Sequence, residues 1–205
     1  MSVQNKLSSL VLKLILLKKS DKKEQLIRIK KVHEKLNKVS PVDYDCGELC
    51  EQICCTYKEE NPKESELVLY LLPGEELLYV DSPDYELYHF ETYEDKYPSS
   101  WGDRGYIAKC VNPPKCNRSI RPMQCRTYPL RPHLDKNGKL HLIIDDSKTP
   151  YTCPLIRDHV KLNDDFIKAT YEAWKELLED SLVYDLLVLE SKKRYDEKIE
   201  YETIL

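Results

Sequence analysis

Only five glycines occur in the 205 residues, at positions 47, 74, 102, 105 and 138, too dispersed to form a Gly-rich loop. That excludes a phosphate-cradling turn, and with it a visible Rossmann-type site for a methyl donor. Long apolar runs are missing as well. The stretch 7–17 has eleven residues and is interrupted by Lys13, whereas a bilayer span needs about 20. Only Lys6 precedes that stretch and no small-residue cleavage site follows, so no secretory signal is expected. The five histidines (His33, His89, His133, His141 and His159) share no ligand spacing and suggest no Ser-His-Asp arrangement. There is no internal repeat, no low-complexity linker and no alternation of strand and helix signals of the kind a βα barrel requires.

Cysteine, by contrast, is plentiful and clustered. Four of the eight lie in Cys46-Gly-Glu-Leu-Cys50-Glu-Gln-Ile-Cys54-Cys55, and Cys110, Cys116, Cys125 and Cys153 follow in one later stretch. A chain of this length buries roughly 70% of its unfolded surface, so it needs no covalent staples merely to fold. A cytoplasmic location is expected, and there ordinary thiols stay reduced, so clustered cysteines point to metal ligation. A four-disulfide framework reached by export is the alternative.

Charge is segregated along the chain. Residues 1–40 carry 11 Lys and Arg against 3 Asp and Glu, residues 41–103 carry 3 against 17, and residues 104–155 carry 10 against 3. The first cysteine group is thus in an acidic segment and the second in a basic one. Opposite fields favour docking of the two, although differently charged solvated faces account for the pattern equally well. Lys18, Lys19, Lys22, Lys23, Lys30 and Lys31 read as a solvated helix face, and no nucleic-acid or membrane partner is expected. Most of the 15 tyrosines read as half-buried structural residues.

Periodicity predicts helices over 7–17 and 25–36, the second started by Asp21 with Glu24 and stopped by Ser40-Pro41. The run 67–72 reads as a buried strand or turn closed by Pro73-Gly74, and 82–101 as a long irregular insertion. A short strand at 105–108 leads into Cys110. Asn137-Gly138 predicts a tight hairpin joining 128–134 to 139–145, which would bring His133 and His141 onto facing arms. Those two are the histidines to consider as extra ligands or as an acid–base pair. The C-terminal third is helical: Asn163 or Asp164 caps one helix bearing Phe166, Ile167, Thr170, Trp174, Leu177 and Leu178, and another runs from Leu182 with Val183, Leu186 and Leu187 inward.

If 46–54 is helical, Cys46, Cys50 and Cys54 share one stripe while Cys55 points about 100° away. Cys55 then serves a second site or the core. The later gaps of five, eight and 27 residues are unlike paired zinc knuckles, and the set is not a bacterial ferredoxin run either. Arg121 and Arg126 flank Cys125. They can donate hydrogen bonds to the sulfurs of an anionic cluster or pair with acidic residues of 41–103.

The order Cys-x₃-Cys-x₃-Cys-Cys, two single cysteines, then Arg121-Pro122-Met-Gln-Cys125-Arg126-Thr-Tyr128-Pro129, then Cys153, resembles the YkgJ-like cysteine-cluster family of zinc- or iron-chelating proteins. The likeness covers roughly 45–154. It departs in the first element, where both gaps are three residues instead of the family's two. What the resemblance implies is a metal-chelating domain with Cys46, Cys50, Cys54, Cys55, Cys110, Cys116, Cys125 and Cys153 as ligands. Flagellin lysine N-methylases contain a similar domain, which leaves a protein-modifying enzyme as the alternative; no catalytic residue is assigned.

The expectation is therefore an α+β, helix-rich single domain. N-terminal helices (1–40), a cysteine-cluster region (41–160) and C-terminal helices packed on it (161–205) surround a metal centre with a small β-hairpin. An iron–sulfur cluster, 4Fe–4S, is favoured over Zn²⁺, since irregular spacing and basic neighbours suit an anionic cluster. Electron transfer, metal handling or binding of a protein partner would be its use.

Overall fold

The computed structural model describes residues 5–6, 20–57, 68–92, 96–145 and 149–205. The helix expected over 7–17 lies outside them.

Helix α1 (Ser20–Leu36) buries Ile29, Val32 and Leu36, spaced three and four apart. It starts earlier than expected, with Asp21 already in its first turn, and it ends before Ser40-Pro41. After two short turns around the first cysteine group, strand β2 (Leu69–Tyr70) joins a four-stranded antiparallel sheet with β1 (Asn5–Lys6), β3 (Tyr85–Glu91) and β4 (Arg104–Cys110), in the order β1-β3-β4-β2.

Strand β3 corrects the expectation of an irregular segment over 82–101. It lies inside the sheet and runs antiparallel to β4 from Tyr85↔Cys110 to Glu91↔Arg104. Tyr85 and Leu87 are buried while Glu86 and Tyr88 are half-buried. The alternation is present in Tyr-Glu-Leu-Tyr-His-Phe-Glu, but its apolar side consists of Tyr and Leu, which the surrounding Asp, Glu and Pro obscure.

A second sheet is the hairpin of β5 (Leu130–Leu134) and β6 (Leu140–Ile144). Its turn is wider than a two-residue connection. Asp135 Oδ1 accepts the amides of Asn137 and Lys139, Gly138 N donates to Asp135 O, and Gly138 alone takes a positive φ, +79°. That is a type I turn closed by a left-handed glycine, the three-residue hairpin alternative. The C-terminal residues pair with β6 through Leu142, Ile143 and Ile144, so that edge is covered.

Helix α5 (Asp164–Leu177) buries Phe166, Thr170, Ala173, Trp174 and Leu177 on one face, with Asp164 and Asp165 at its positive N-terminal end. Three one-turn helices precede it: α2 (Ile53–Thr56), α3 (Met123–Thr127) and α4 (Pro154–Arg157). Asn163 stands at the cap position but turns its side chain to Ser40 O and Asp43 Oδ1, tying α5 to the segment after α1. Helix α6 (Ser181–Asp196) is capped by Asp180, which accepts from Leu182 N. Its buried Ser191 accepts the Leu134 amide at 2.9 Å, fastening α6 to β5.

One core of buried residues draws on all three sequence segments: Ile29 and Val32 from α1, Met123, Leu130 and Leu142 from the middle, and Phe166, Leu177 and Leu187 from the C-terminal helices. Each such side chain contributes about 1.5–3 kcal/mol by leaving water. A smaller core of Leu71, Tyr79, Tyr85, Leu87 and Ala108 lies under the four-stranded sheet. The fold is α+β, as expected. Among the described residues no helix is long and apolar enough to cross a membrane.

Candidate metal centre

Apart from Cys110, the cysteines sit on loops and short turns. Cys46 opens a 3₁₀ turn (Cys46–Leu49) capped by Asp45, whose carboxylate accepts the Gly47 amide at 3.1 Å. Gly47 is needed for packing: a Cβ there would lie 2.4 Å from Gln52 Cγ. The turn does not continue as a helix through Cys54. Glu51 and Gln52 adopt left-handed φ of +51° and +58°, and a new one-turn helix, α2 (Ile53–Thr56), carries Cys54 and Cys55. The expected stripe of Cys46, Cys50 and Cys54 on one helix is thus replaced by two turns meeting at a kink. Two successive non-glycine residues in that region are energetically costly, about 1–2 kcal/mol each, a conformation that clusters at functional sites.

Cys110 is the last residue of β4, opposite Tyr85. Cys116 follows the Pro113-Pro114 loop and donates its amide to Pro114 O. Cys125 is central in α3 (Met123–Thr127), where Pro122 starts the helix. Cys153 stands just before Pro154, the first residue of α4 (Pro154–Arg157). Seven thiols are half-buried, Cys54 is exposed, and none is paired in a disulfide.

Folding brings the two sequence groups into one neighbourhood. The sulfurs of Cys54 and Cys55 are 3.9 Å apart. Cys125, on α3, is pushed up by burial and then by the charges of Cys55, Cys110 and Cys116. Cys110 is pushed up to about 11 by burial with Cys116 and Cys55 beside it. Burial raises Cys46 too, aided by Asp45, Cys153 and Cys50. Cys55 goes the other way: the hydrogen bond it shares with Cys54 lowers it against burial, and Arg121 and Arg118 favour its thiolate. Crowded thiols that resist ionisation are relieved when a cation takes up their charge. Even so, among the described residues no three Cys, His, Asp or Glu side chains converge closely enough to ligate an ion as they stand.

The two arginines part company. Arg121 donates from Nε to Cys116 Sγ at 3.2 Å and faces Cys55 and Cys125 as well. Arg126 donates instead to the carbonyls of Arg121, Arg118 and Ser119 and to Asn37 Oδ1, bracing the loop that carries Arg121. Residues with no role assigned from the sequence also surround the sulfurs. Tyr85 lies beside Cys116 and Tyr128 beside Cys153, and burial first, then the neighbouring thiols, raises both phenols. Tyr128 lies in the Arg-Pro-Met-Gln-Cys-Arg-Thr-Tyr-Pro run, so its place in the motif was a usable signal; Tyr85 had none while its strand went unseen.

Arg118 ion-pairs with Asp45, joining the basic and acidic segments. Burial works against ionisation of Asp45, but the Gly47 amide and Arg118 outweigh it and hold its carboxyl below the usual value. The histidines are engaged elsewhere. His133 Nε2 lies 3.1 Å from the Tyr195 hydroxyl, and His141 Nε2 is 3.5 Å from Asp135. A cavity of about 370 Å³ adjoins α3 through Met123, Gln124 and Thr127 and is not lined by Cys125 or Arg126.

The chain matches no protein-family model, no curated protein and no solved structure.

Proposed function

We propose that this chain is a thiolate metal-binding protein that holds an iron–sulfur centre, 4Fe–4S in type, through its eight cysteines. The observation that carries the reading is the gathering of unpaired thiols from separate turns around Arg121, whose guanidinium already donates to one of the sulfurs. The donor set is all sulfur, which suits soft or borderline metals and Fe–S clusters. A cluster held by four thiolates is anionic, and hydrogen bonds to sulfur and nearby positive charge stabilise it. Arg121 provides both. The resemblance of the Arg121–Pro129 run to YkgJ-like chelating domains agrees with this reading.

Placed at the surface, with Cys54 exposed, such a centre is accessible to a partner for exchange of electrons or metal. A reducing, cytoplasmic compartment is the setting the reading requires.

Protein purified without oxygen should be brown, with broad absorption near roughly 400 nm and acid-labile sulfide matching its iron. A colourless protein carrying zinc and no sulfide would replace iron by zinc at the same thiols. A protein free of both metals, with all eight thiols titratable, would reject the reading.

A further inference from the structure

We propose that the cavity walled by β2, α3, β5 and the C-terminal helices is a binding site for an uncharged, planar aromatic molecule that carries a hydrogen-bond acceptor. No cysteine lines this cavity, so the inference stands apart from the metal-binding reading.

Size and walls come first. The cavity holds about 370 Å³, within the roughly 300–1,000 Å³ of small-molecule sites, which are mostly apolar with a few placed polar groups. Its apolar side is continuous with the main core, since Leu72, Met123, Leu130 and Leu187 belong to both. Four aromatic side chains, Tyr70, Tyr97, Trp101 and Trp174, line it as well. The first three are held in place by their neighbours. Tyr97 packs on Trp101 with ring centroids 5.4 Å apart, and Phe90, outside the cavity, packs on Tyr70 and Tyr97 at 5.7 and 5.0 Å. Gly105 makes room for Phe90, because a Cβ there would lie 2.3 Å from Phe90 Cζ. Trp101 is fixed to α6 by donating from Nε1 to Leu182 O at 2.9 Å. Rings held in this way offer a further ring offset or edge-on contacts, and little side-chain freedom is left to lose on binding.

Charge and hydrogen bonding narrow the class. The charged residues lining the cavity are Lys96, Arg131, Asp145 and Glu190, two of each sign. Arg131 reaches Asp145 at 3.5 Å and Glu190 at 3.2 Å. An ionic ligand finds no net opposite charge among these residues to offset its desolvation; a neutral one has no such cost. Thr127 Oγ1 donates to Met123 O, and Gln124 Oε1 accepts the Tyr70 amide. Trp174 differs. It is 8% exposed, and its Nε1–H has no acceptor among the described residues. A buried indole N–H usually has a partner, and a carbonyl oxygen on the occupant supplies one. Helix α3 lines the cavity with Met123, Gln124 and Thr127 and also carries Cys125. The occupant is thus seated against the turn that bears a thiol of the candidate metal centre.

Prodan, an uncharged naphthalene ketone whose emission moves to the blue on leaving water, tests the site. The full chain should bind one equivalent saturably with a blue shift, and acetylnaphthalene should displace it. Naphthoate and naphthylmethylammonium should compete about tenfold more weakly or worse; an ion that competes as well as the ketone overturns the uncharged class. Trp174→Phe keeps a ring and removes the N–H, so affinity should fall roughly 2- to 10-fold. Equal affinity overturns the assigned acceptor. Leu186→Trp, at a half-buried cavity position on α6, fills the space and should abolish binding. Undiminished binding by that variant places the dye elsewhere and overturns the site.

Against the risk that a variant fails to fold, the wild type carries its own reporters. Trp101 and Trp174 are the chain's two tryptophans, and both line the cavity. Fluorotryptophan-labelled wild type gives two fluorine NMR signals, and acetylnaphthalene should shift both with the Kd found by displacement. Absence of saturable binding, or binding that leaves either signal in place, overturns the proposal.

Discussion

Glu75 gives the sharpest test of how the second cysteine group is held in place. It is fully buried, and both carboxylate oxygens are in use: Oε2 accepts the Leu72 amide at 3.0 Å and Oε1 accepts the Met123 amide at 2.7 Å, with His33 Nε2 3.6 Å away. The side chain therefore ties the turn after β2 to the first residue of α3, two residues before Cys125. A hydrogen bond to a charged acceptor contributes about 1.5–3 kcal/mol, and a buried amide left unpaired loses a similar amount. Glu75→Ala strands two amides at once and should cost about 3–6 kcal/mol, a large part of the 5–15 kcal/mol typical of a whole domain. Glu75→Gln keeps the shape but retains only one accepting oxygen, so roughly half that loss is expected. Urea unfolding of the two variants beside the wild type measures both. A loss below about 1 kcal/mol for Glu75→Ala would refute the bracing role assigned to this carboxylate.

In reduced, metal-free protein, iodoacetamide should label the Cys54–Cys55 pair at neutral pH, because the thiolate is the nucleophile and the shared hydrogen bond with Arg121 and Arg118 nearby favours one thiolate of the pair, whereas Cys110, pushed up to about 11, should stay unlabelled; equal labelling at pH 7 would contradict the described surroundings. Arg121→Ala should keep bound iron but lower the reduction potential, since positive charge beside sulfur favours the reduced, more anionic cluster, while Arg126→Ala should leave the potential alone and lower stability by about 2 kcal/mol through lost loop hydrogen bonds. Asp45 sits below its usual carboxyl value, so its contribution to stability is complete above that value and lost as pH falls through the folded one; Asp45→Asn should flatten the acid side of the stability profile, and an unchanged profile would count against the Asp45–Arg118 tie.

Helix α5 was legible because its apolar spacing is strong, whereas α6 spreads its apolar residues around the helix; both begin within a residue of where Asn163, Asp164 and Leu182 placed them. The hairpin was legible from Asn137-Gly138, though Asp135 widened the turn by accepting two amides. Strand β3 was not, because a sheet supplies partners for Tyr and Leu that local composition does not reveal. Likewise, Glu75 and Glu76 lie in an acidic segment with no sequence signal that marks them out, yet both are fully buried, Glu76 against Lys22 at 2.5 Å. The cysteines could be counted and grouped from the sequence, but the left-handed kink at Glu51 and Gln52 that breaks the first group into two turns, and the packing of Cys153 against the main core, are tertiary facts. Arg121 and Arg126 were indistinguishable by spacing; the loop carbonyls that take up Arg126 separate them.

The central claim is that the eight thiols are ligands, and X-ray absorption at the metal edge of anaerobically isolated protein addresses it directly. An iron edge with a four-sulfur shell and a second, metal–metal scattering shell is the expected result, with no nitrogen or oxygen in the first shell. A first shell containing histidine nitrogen or carboxylate oxygen, or protein isolated without any bound metal, would contradict it.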